Sequence, residues 1–493
     1  MSHQNFLKES LVVVIVGALF ITGLGWLMNV EKANAIPAFA RKYDFTCNVC
    51  HVPGFPKLND FGNKFRDRGY QLGSDADLPT YEGISMGFWP VSFRTTVGQQ
   101  LASVRTDGTT FTTNGTGFTG LDILSFGLLS RNIAFRVVYT PALADAGFGT
   151  GASDGDLESA QVRFMNLERF LGVKSKPGDY ILNLGVGKFE IDVPFSEKRS
   201  PTLNTQIAMY HYMAGTPYTQ GISGTSTSMY NNPNSFGLGD NQPGFELTGI
   251  KSTPITKGFF RYSLAALATN TFSGTLSGCP SSVTAAGGTC GTGGRNMNFY
   301  GHVTQSFGGY GIVTGHRIGI FGAYGTAPTV VNATCPTCSA VGGSSQPFYR
   351  VGADVSLTYK GQVNLFGAFI HGNDSKNIFI SQSIAGAQNA SWNGGFVELD
   401  VYPTLLPILN MPNWFFSYRY DIIRNSRQGD PTFAKTYNDV DSHTFLVRWF
   451  IFQTSRTEMA LHAEFNTYRT KGVGTMGGDL LGQTMLLAAD FAF

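Results

Sequence analysis

Three side chains near the start of the chain have the types and spacing to hold a metal cofactor. They are Cys47, Cys50 and His51, in the pentapeptide Cys-Asn-Val-Cys-His. C-x-x-C-H is the attachment motif of c-type haem. Two thiols at this spacing can form thioethers with the two vinyl groups of one porphyrin, and the following imidazole can ligate its iron. The sequence therefore predicts one covalent haem c, with His51 as an axial ligand.

The same motif could also be a chance match, part of a zinc site or a redox dithiol. Zinc would need two more Cys or His ligands nearby, and residues 36–81 contain only these three. A thioredoxin-like dithiol would lie in a βαβ context, and the surrounding sequence has no such pattern. The motif therefore favours haem.

The first 35 residues have the pattern of an export signal. Lys8 precedes an apolar run from Leu11 to Met28, and Ala33-Asn34-Ala35 is a small-residue cleavage site. We expect cleavage after Ala35; an uncleaved inner-membrane anchor is the alternative, because the run is nearly long enough to span a bilayer. Export agrees with the haem prediction, since c-type haem is attached outside the cytoplasm.

The four remaining cysteines lie in loops rich in Gly, Ser and Thr. Proximity in sequence pairs Cys279 with Cys290 and Cys335 with Cys338. Disulfides are the expected state in an exported protein. Cys335 and Cys338 also form C-x-x-C, but Ser339 follows in place of His, so a second haem is not expected.

Composition sets the rest of the chain apart from a soluble cytochrome. Charged residues make up 14%, aromatic residues 13%, and there are 61 glycines. The net charge of +2 gives no reason to expect a nucleic-acid partner. No later run is apolar enough for a transmembrane helix. From about Ser85 onward the dominant hydrophobic period is two, the period of a β-strand.

Three runs show this alternation most clearly. From Asn413 to Ile422, Trp and Tyr side chains on one face alternate with Ser, Arg and Asp on the other. The runs Tyr349 to Lys360 and Glu458 to Thr467 divide in the same way. These strands are about ten residues long, enough to cross a bilayer at a tilt, and aromatic residues cluster near their ends, as in the girdles of outer-membrane barrels.

The last strand resembles the assembly signal of bacterial outer-membrane proteins. It alternates through Met485, Leu487, Ala489 and Phe491 and stops at Phe493. Together these patterns favour an all-β transmembrane barrel in the outer membrane over a soluble β-sandwich. We expect about 16 antiparallel strands, with 14 or 18 as alternatives, since such barrels have even strand numbers. A barrel of that size has a lumen.

The predicted organisation has three parts: a signal peptide at residues 1–35, a small α-helical haem segment at 36–82 and a porin-like barrel at 83–493. Long, weakly charged loops are expected at Met213 to Gly244, Thr271 to Asn296 and Gly325 to Gln346, facing outward. The haem segment is too short to complete its own core. We therefore expect it to sit in or at the mouth of the barrel, where the barrel wall would complete the pocket.

A short helix is expected after the haem motif. Asn59 or Asp60 can cap it, and Leu58, Phe61 and Phe65 share one face that could cover a porphyrin. Phe55 and Phe61 are the stronger candidates for haem contact because they are nearer the motif, while Phe65 fits a plain packing role equally well.

The sixth iron ligand stays open, because the segment contains no second His and no Met. Met86 and His211 are weak candidates. His462 on the barrel wall, or five-coordinate iron, is a further alternative.

The N-terminal residues resemble a known family. Four stretches carry the resemblance: Ile36–Tyr43, Cys47–His51, Phe55–Gly62 and Phe65–Tyr70. They are similar to the fused outer-membrane cytochrome–porins, of which the best-known members are the outer-membrane iron oxidases of iron-oxidising bacteria. The resemblance implies a haem c on Cys47 and Cys50 with His51 as axial ligand. It also implies electron transfer from a donor outside the cell to a periplasmic cytochrome or copper protein.

The leading functional hypothesis is therefore Fe(II) oxidation at the outer membrane. Lumenal carboxylates that could ligate iron directly are Asp354, Glu398, Asp400, Glu458 and Glu464, although charged lumen residues are usually just solvated wall. One alternative is a diffusion porin with a structural or sensory haem. Another is an electron conduit with a different donor, such as an electrode or reduced sulfur, or with the opposite direction, because sequence does not set the reduction potential.

Overall fold

The protein is a closed antiparallel β-barrel, described from a computed structural model. The structure describes residues 38–52, 56–73, 77–85, 90–141, 156–220, 222, 227–232, 234, 236–268, 289–290, 297–308, 316–327, 330–331, 346–359, 362–382, 384–403, 413–453 and 457–492. Within these residues, no helix is long and apolar enough to span a membrane. The predicted signal peptide at residues 1–35 lies outside the described part of the chain.

Sixteen strands form the barrel, and each pairs with its neighbours in the sequence of barrel strands until the last strand closes on the first. They are β1 Val91–Thr106, β2 Thr109–Ser130, β3 Ile133–Thr140, β4 Asp156–Phe164, β5 Tyr180–Glu190, β6 Asn241–Thr253, β7 Gly258–Ala268, β9 Met297–Phe307, β10 His316–Ala327, β12 Gln346–Tyr359, β13 Val363–Asp374, β14 Ala390–Val401, β15 Trp414–Arg427, β16 Val440–Gln453, β17 Glu458–Thr470 and β18 Leu480–Ala492. Two short strands, β8 Thr289–Cys290 and β11 Val330–Val331, pair with each other outside the barrel. The predicted fold class and strand number are confirmed.

The alternation along each strand separates an apolar exterior from a polar interior. On β15, Tyr418 is 36% exposed on the outside, whereas Arg419 and Asp421 on the inside are buried. The outside also carries aromatic clusters. The Trp414 ring stacks on that of Trp449 at 5.7 Å, and the Tyr418 ring lies 4.8 Å from that of Phe445. This exterior suits lipid, as the strand pattern predicted.

In the described part of the chain, four short helices precede the barrel: α1 Ala38–Tyr43, α2 Cys47–Cys50, α3 Asp60–Asp67 and α4 Thr80–Ser85. We call the described residues from 38 to 85 the plug. Its helices reach Ser85, a little beyond the predicted segment end at residue 82. Phe65 and Tyr70 of the plug pack on Leu128 and Ala134, which belong to β2 and β3. The plug therefore uses the barrel wall as part of its own core.

Polar contacts hold the plug at one end of the barrel. The backbone amide of Asn132, in the short β2–β3 turn, donates to Gln71 at 3.0 Å, and the amide of Leu128 donates to Thr80 at 3.1 Å. The β6–β7 connection at this end is also short, and the three longest connections, β5–β6, β7–β9 and β10–β12, leave the barrel at the opposite end. Bacterial barrels have short periplasmic turns and long outer loops, so the plug occupies the end that would face the periplasm.

Two buried ion pairs fix the plug against more distant strands. Asp67 accepts hydrogen bonds from Arg261 on β7, the shorter at 2.7 Å, and Lys57 pairs with Asp400 on β14. On a further side, Val52 packs into a buried cluster with Tyr402, Phe415, Leu446, Phe450 and Ala460. The plug thus contacts the wall around much of its circumference.

The β5–β6 connection, residues 191–240, folds into the lumen; we call it the inward loop. It includes helix α5, Ala208–His211, whose residue Ala208 is fully buried. The amide of Ala208 donates to Asp421 on β15 at 3.1 Å, and Thr205 donates to Glu464 on β17 at 2.6 Å. The prediction of an outward-facing loop from Met213 to Gly244 was therefore wrong in two respects. The connection begins earlier, at residue 191, and it folds into the lumen. Its buried Ile, Met and Tyr residues need an apolar environment, which the lumen wall provides.

The other two predicted loops fall largely outside the described residues. Strand β7 ends at Ala268 and β9 begins at Met297. Strand β10 ends at Ala327 and β12 begins at Gln346. Of the predicted disulfide cysteines, Cys279, Cys335 and Cys338 lie outside the described residues, and for Cys290 only the backbone is described. Helix α6, Lys376–Ile380, lies in the β13–β14 connection.

Because the plug and the inward loop both cross the lumen, deletion of the plug alone should not open the barrel. We expect the intact protein to conduct ions poorly in planar bilayers, although an unobstructed barrel of 16 strands leaves an aqueous channel. Deleting residues 38–85 should raise the conductance slightly. Replacing residues 203–236 with a short Gly-Ser linker as well should raise it to porin level. A fully open channel after the first deletion would contradict this arrangement.

The pair between Asp67 and Arg261 should stabilise the docked plug. Burial raises the pKa of Asp67, but Arg261 and Arg66 outweigh burial and hold it below the ordinary value of 3.8, so the contribution is lost only as pH falls through that lowered pKa. Asp67→Asn should weaken docking by about 1.5–3 kcal/mol, the range for hydrogen bonds to charged groups. Limited proteolysis of residues 38–85 at neutral pH measures this. Asp60→Asn is the matched control, because Asp60 is more exposed and pairs with Lys64 within the plug rather than with the wall.

Candidate functional site

The haem motif forms a single helical turn. Helix α2 spans Cys47–Cys50, and the amide of His51 donates to the carbonyl of Cys47 at 2.9 Å. Residues three apart on a helix share a face, so the two cysteines lie on the same side of this turn. His51 follows immediately in extended conformation. The local structure thus presents the two thiols and the imidazole from one compact segment.

Asn59 ties this turn to helix α3. Its backbone amide donates to the carbonyl of Cys50 at 2.8 Å, and its side-chain amide donates to the carbonyl of Val49 at 2.9 Å. Its side-chain oxygen accepts from the amide of Gly62 at 2.8 Å, which is an N-cap. Of the two predicted capping residues, Asn59 holds the position and Asp60 begins the helix.

Gly62 allows α2 and α3 to approach closely. A Cβ atom added at Gly62 would lie 2.2 Å from the carbonyl oxygen of Cys50 and 3.0 Å from the side chain of Leu58. Such a contact with backbone is not relieved by rotating a side chain. The spacing of the two helices, and hence the position of Cys50, therefore depends on glycine at this position.

The His51 ring is oriented by the chain that follows the motif. Nδ1 lies 3.3 Å from the carbonyl oxygen of Pro56. A carbonyl can only accept, so Nδ1 carries the proton and the Nε2 lone pair is the one suited to a metal. Histidines that ligate metals commonly donate their other ring N–H in this way. Burial lowers the pKa of His51 to about 4, against the opposing carbonyl hydrogen bonds, so the ring is neutral at ordinary pH.

The two thiols are in a different environment from a redox dithiol. Burial, with a contribution from Glu458, raises the pKa of Cys47 to about 12, and burial together with Cys47 raises the pKa of Cys50 to about 12. Thiol–disulfide exchange and zinc binding both use the thiolate. Neutral thiols in this environment argue against a redox dithiol and are compatible with thioether formation.

All three motif side chains line one cavity of about 350 Å³ between the plug and the wall of the barrel. Cofactor sites are typically concave, roughly 300–1,000 Å³ in volume and mostly apolar with a few polar groups. The apolar lining comes from both the plug and strands β2 and β3: Phe39, Phe45, Leu58, Phe65, Leu124, Phe126 and Val138. The cavity therefore exists only when the plug is docked.

The residues predicted to cover a porphyrin differ in their positions relative to the cavity. Leu58 and Phe65 line the cavity, and Phe65 is also 5% exposed and packed on the wall, so it has both roles. Phe61 is 38% exposed and does not line the cavity. Phe55 lies outside the described residues.

The candidates for a sixth ligand are not brought to the motif. His211 lies in the inward loop, with Nε2 at 2.7 Å from Glu197, and His462 lies on β17, with Nε2 at 3.0 Å from Glu464. Neither lines the cavity, and Met86 is outside the described residues. Among the described lining residues, His51 is the one imidazole and there is no thioether.

The lumenal carboxylates predicted as possible iron ligands point inward, but most have structural partners. Asp400 pairs with Lys57. Asp354 pairs with His302 and Arg317, and Glu464 accepts from the inward loop. Glu398 lies 3.7 Å from Arg419. Glu458 is different because it lines the same cavity as the motif.

Sequence reasoning missed the wall residues that share the cavity with the motif. Arg94, Asp122, Arg136 and Glu158 lie on four neighbouring strands and face the plug. Period-two alternation could show that they point inward. No sequence signal gives their height along the barrel relative to residue 47, because the strand registers and the plug position decide it.

Comparison with known proteins concerns architecture. No protein-family model and no curated relative matches the sequence. Similar solved structures include the outer-membrane channel DcaP of Acinetobacter baumannii, with 9% identity and a TM-score of 0.45, covering 82% of this chain and 97% of that one. Pseudomonas putida OprB has 11% identity and a TM-score of 0.44, covering 83% and 96%. Salmonella typhi OmpF, solved with daunomycin, has 10% identity and a TM-score of 0.41, covering 82% and 97%.

Gly62→Ala should displace the haem motif without unfolding the barrel. The added methyl group overlaps the Cys50 carbonyl, and overpacking of this kind costs about 1–3 kcal/mol. We expect a lower ratio of covalent haem to protein, measured by haem staining and absorbance, with an unchanged heat-modifiable barrel band on gels. Asp60→Asn on the same helix should leave the ratio unchanged. Full haem content in the alanine variant would show that the contact does not set the site.

Proposed function

We propose that the protein transfers electrons across the bacterial outer membrane, from Fe(II) outside the cell to a periplasmic cytochrome or copper protein. The observation that carries this proposal is the convergence of Cys47, Cys50 and His51 on one cavity inside the mouth of a transmembrane-type barrel. Membership of the fused cytochrome–porin family is part of the same proposal. The C-x-x-C-H motif and the barrel support it together.

The residues of the cavity fit a haem c. Cys47 and Cys50 would hold it through thioethers, and Nε2 of His51 would ligate its iron. Bound haem c supplies a one-electron redox centre. The Pro56 carbonyl holds the His51 tautomer, and Phe39, Phe65 and Phe126 exclude water from the apolar wall.

The barrel explains why such a site would sit where it does. The hydrocarbon layer is about 30 Å thick and does not carry electrons. A site inside the barrel lies in protein rather than lipid, at the end that would face a periplasmic acceptor. The overall reaction moves one electron per Fe(II) and leaves Fe(III) outside, where its insoluble hydroxide would not fill the periplasm.

A second candidate is a diffusion porin in which the haem is structural or sensory. The closed 16-stranded barrel favours it, because an unobstructed barrel of this width leaves an aqueous channel. The two candidates differ in what Cys47→Ala does. The porin candidate predicts a large conductance and normal transport after the substitution.

The decisive experiment uses the full-length protein purified in detergent. We expect one covalent haem per chain, reduced on anaerobic mixing with Fe(II) at the working pH. The Cys47→Ala, Cys50→Ala variant should lose the haem and the Fe(II)-dependent spectral change while still forming a barrel. Absence of covalent haem in the native protein would refute the proposal. A haem that stays oxidised would remove Fe(II) as the donor, and reduced sulfur compounds or an electrode would then be tested in its place.

A further inference from the structure

Five arginine and lysine side chains line the cavity that holds the motif. Four of them are paired with carboxylates of the protein. Arg66 lies 2.9 Å from Asp67, Arg94 is 3.3 Å from Asp490, Arg199 is 2.7 Å from Glu190 and Lys198 is 3.0 Å from Glu158. Their charges are largely neutralised within the protein, so they need no anionic occupant.

Arg136 differs from these four. It lies on β3, on the same face as Ala134 and Val138, which are buried against the plug. Its Nε is buried without a hydrogen-bond partner. Within the described residues, its nearest carboxylate partner is Glu190, which interacts with it electrostatically but forms its ion pair with Arg199 at 2.7 Å. The guanidinium carbon of Arg136 lies 5.9 Å from the ring centroid of Phe126.

A guanidinium placed this way is costly unless something binds it. The buried Nε donor has lost its hydration and has no hydrogen bond within the protein in its place. Arginine is also the side chain best suited to a planar carboxylate, because its fork donates two parallel hydrogen bonds. The geometry therefore suits an anionic carboxylate inside the cavity.

We propose that Arg136 binds a propionate carboxylate of the haem. This inference rests on the proposed function, which places a haem c in the cavity. Haem carries two propionates, and the other cations of the cavity already have protein carboxylates as partners. Arg136 is thus a positioning residue: it orients the porphyrin from the barrel wall while Cys47, Cys50 and His51 hold it from the plug.

The charge of Arg136 also affects the redox equilibrium. Reduction adds one negative charge to the haem, and a nearby cation stabilises the reduced form through the weakly screening protein interior. Removal of the cation should therefore lower the midpoint potential. Loss of the bidentate pair should separately release the propionate, which changes its vibrational signature.

The test compares Arg136→Gln with Arg136→Lys and Lys198→Gln in the full-length haem protein. For Arg136→Gln we expect about a tenfold lower ratio of ferrous to ferric haem at a fixed solution potential, a shift of about 59 mV for a one-electron couple. We also expect a displaced propionate bending band in the resonance Raman spectrum. Lys198→Gln removes a charge from the same cavity, but one that Glu158 neutralises, and should leave the band in place.

Arg136→Lys separates charge from geometry. The Lys variant should have a midpoint potential close to the native one and should still show a displaced propionate band. If the Gln variant does not assemble, the Lys variant alone tests the inference. An unmoved band in the Lys variant, or equal effects of Arg136→Gln and Lys198→Gln, would overturn the inference. A native protein without covalent haem would refute the proposed function instead, so the two failures are distinguishable.

Discussion

Closure of the sheet is the constraint on which the rest of the molecule depends. In lipid every backbone N–H and C=O must be paired within the protein, and β1 and β18 meet that demand by pairing with each other. Closure at 16 strands leaves a lumen too wide to be filled by the side chains of the wall alone. The plug and the inward loop fill it, and both are therefore part of the core of the fold.

This arrangement explains how so short a segment can form one side of the cavity that we propose for the haem. The plug contributes the chemical groups, while strands β2 to β4 contribute much of the apolar and charged surface opposite them. Each part is incomplete without the other, because Phe65 and Tyr70 have wall residues as their packing partners. A soluble cytochrome must carry both halves of its pocket in one domain, whereas the proposed haem site of this protein would take its second half from the barrel.

The sequence predicts what depends on local patterns. The two-residue hydrophobic period predicts which face of each strand points outward, and together with the strand spacing it predicts 16 strands. The residues around Asn59 and Asp60 predict where the helix after the motif begins. It does not predict contacts between segments far apart in the chain. The inward course of residues 191–240 depends on Ala208 meeting Asp421, and the charge opposite the motif depends on Arg136 on β3. Such contacts follow from register and lumen width, which no short stretch encodes.

The shared cavity also constrains the order of biogenesis. Cys47 and Cys50 line a space whose other side is barrel wall, so an enzyme that attaches haem would need to reach them before the plug docks. Arg261 then binds both Asp67 of the plug and Asp192 of the inward loop, and so links the two segments that fill the lumen. With the proposed haem, maturation would therefore run in one direction: attachment of the cofactor first, docking of the plug second. Loss of cofactor from the finished protein would be hard to repair.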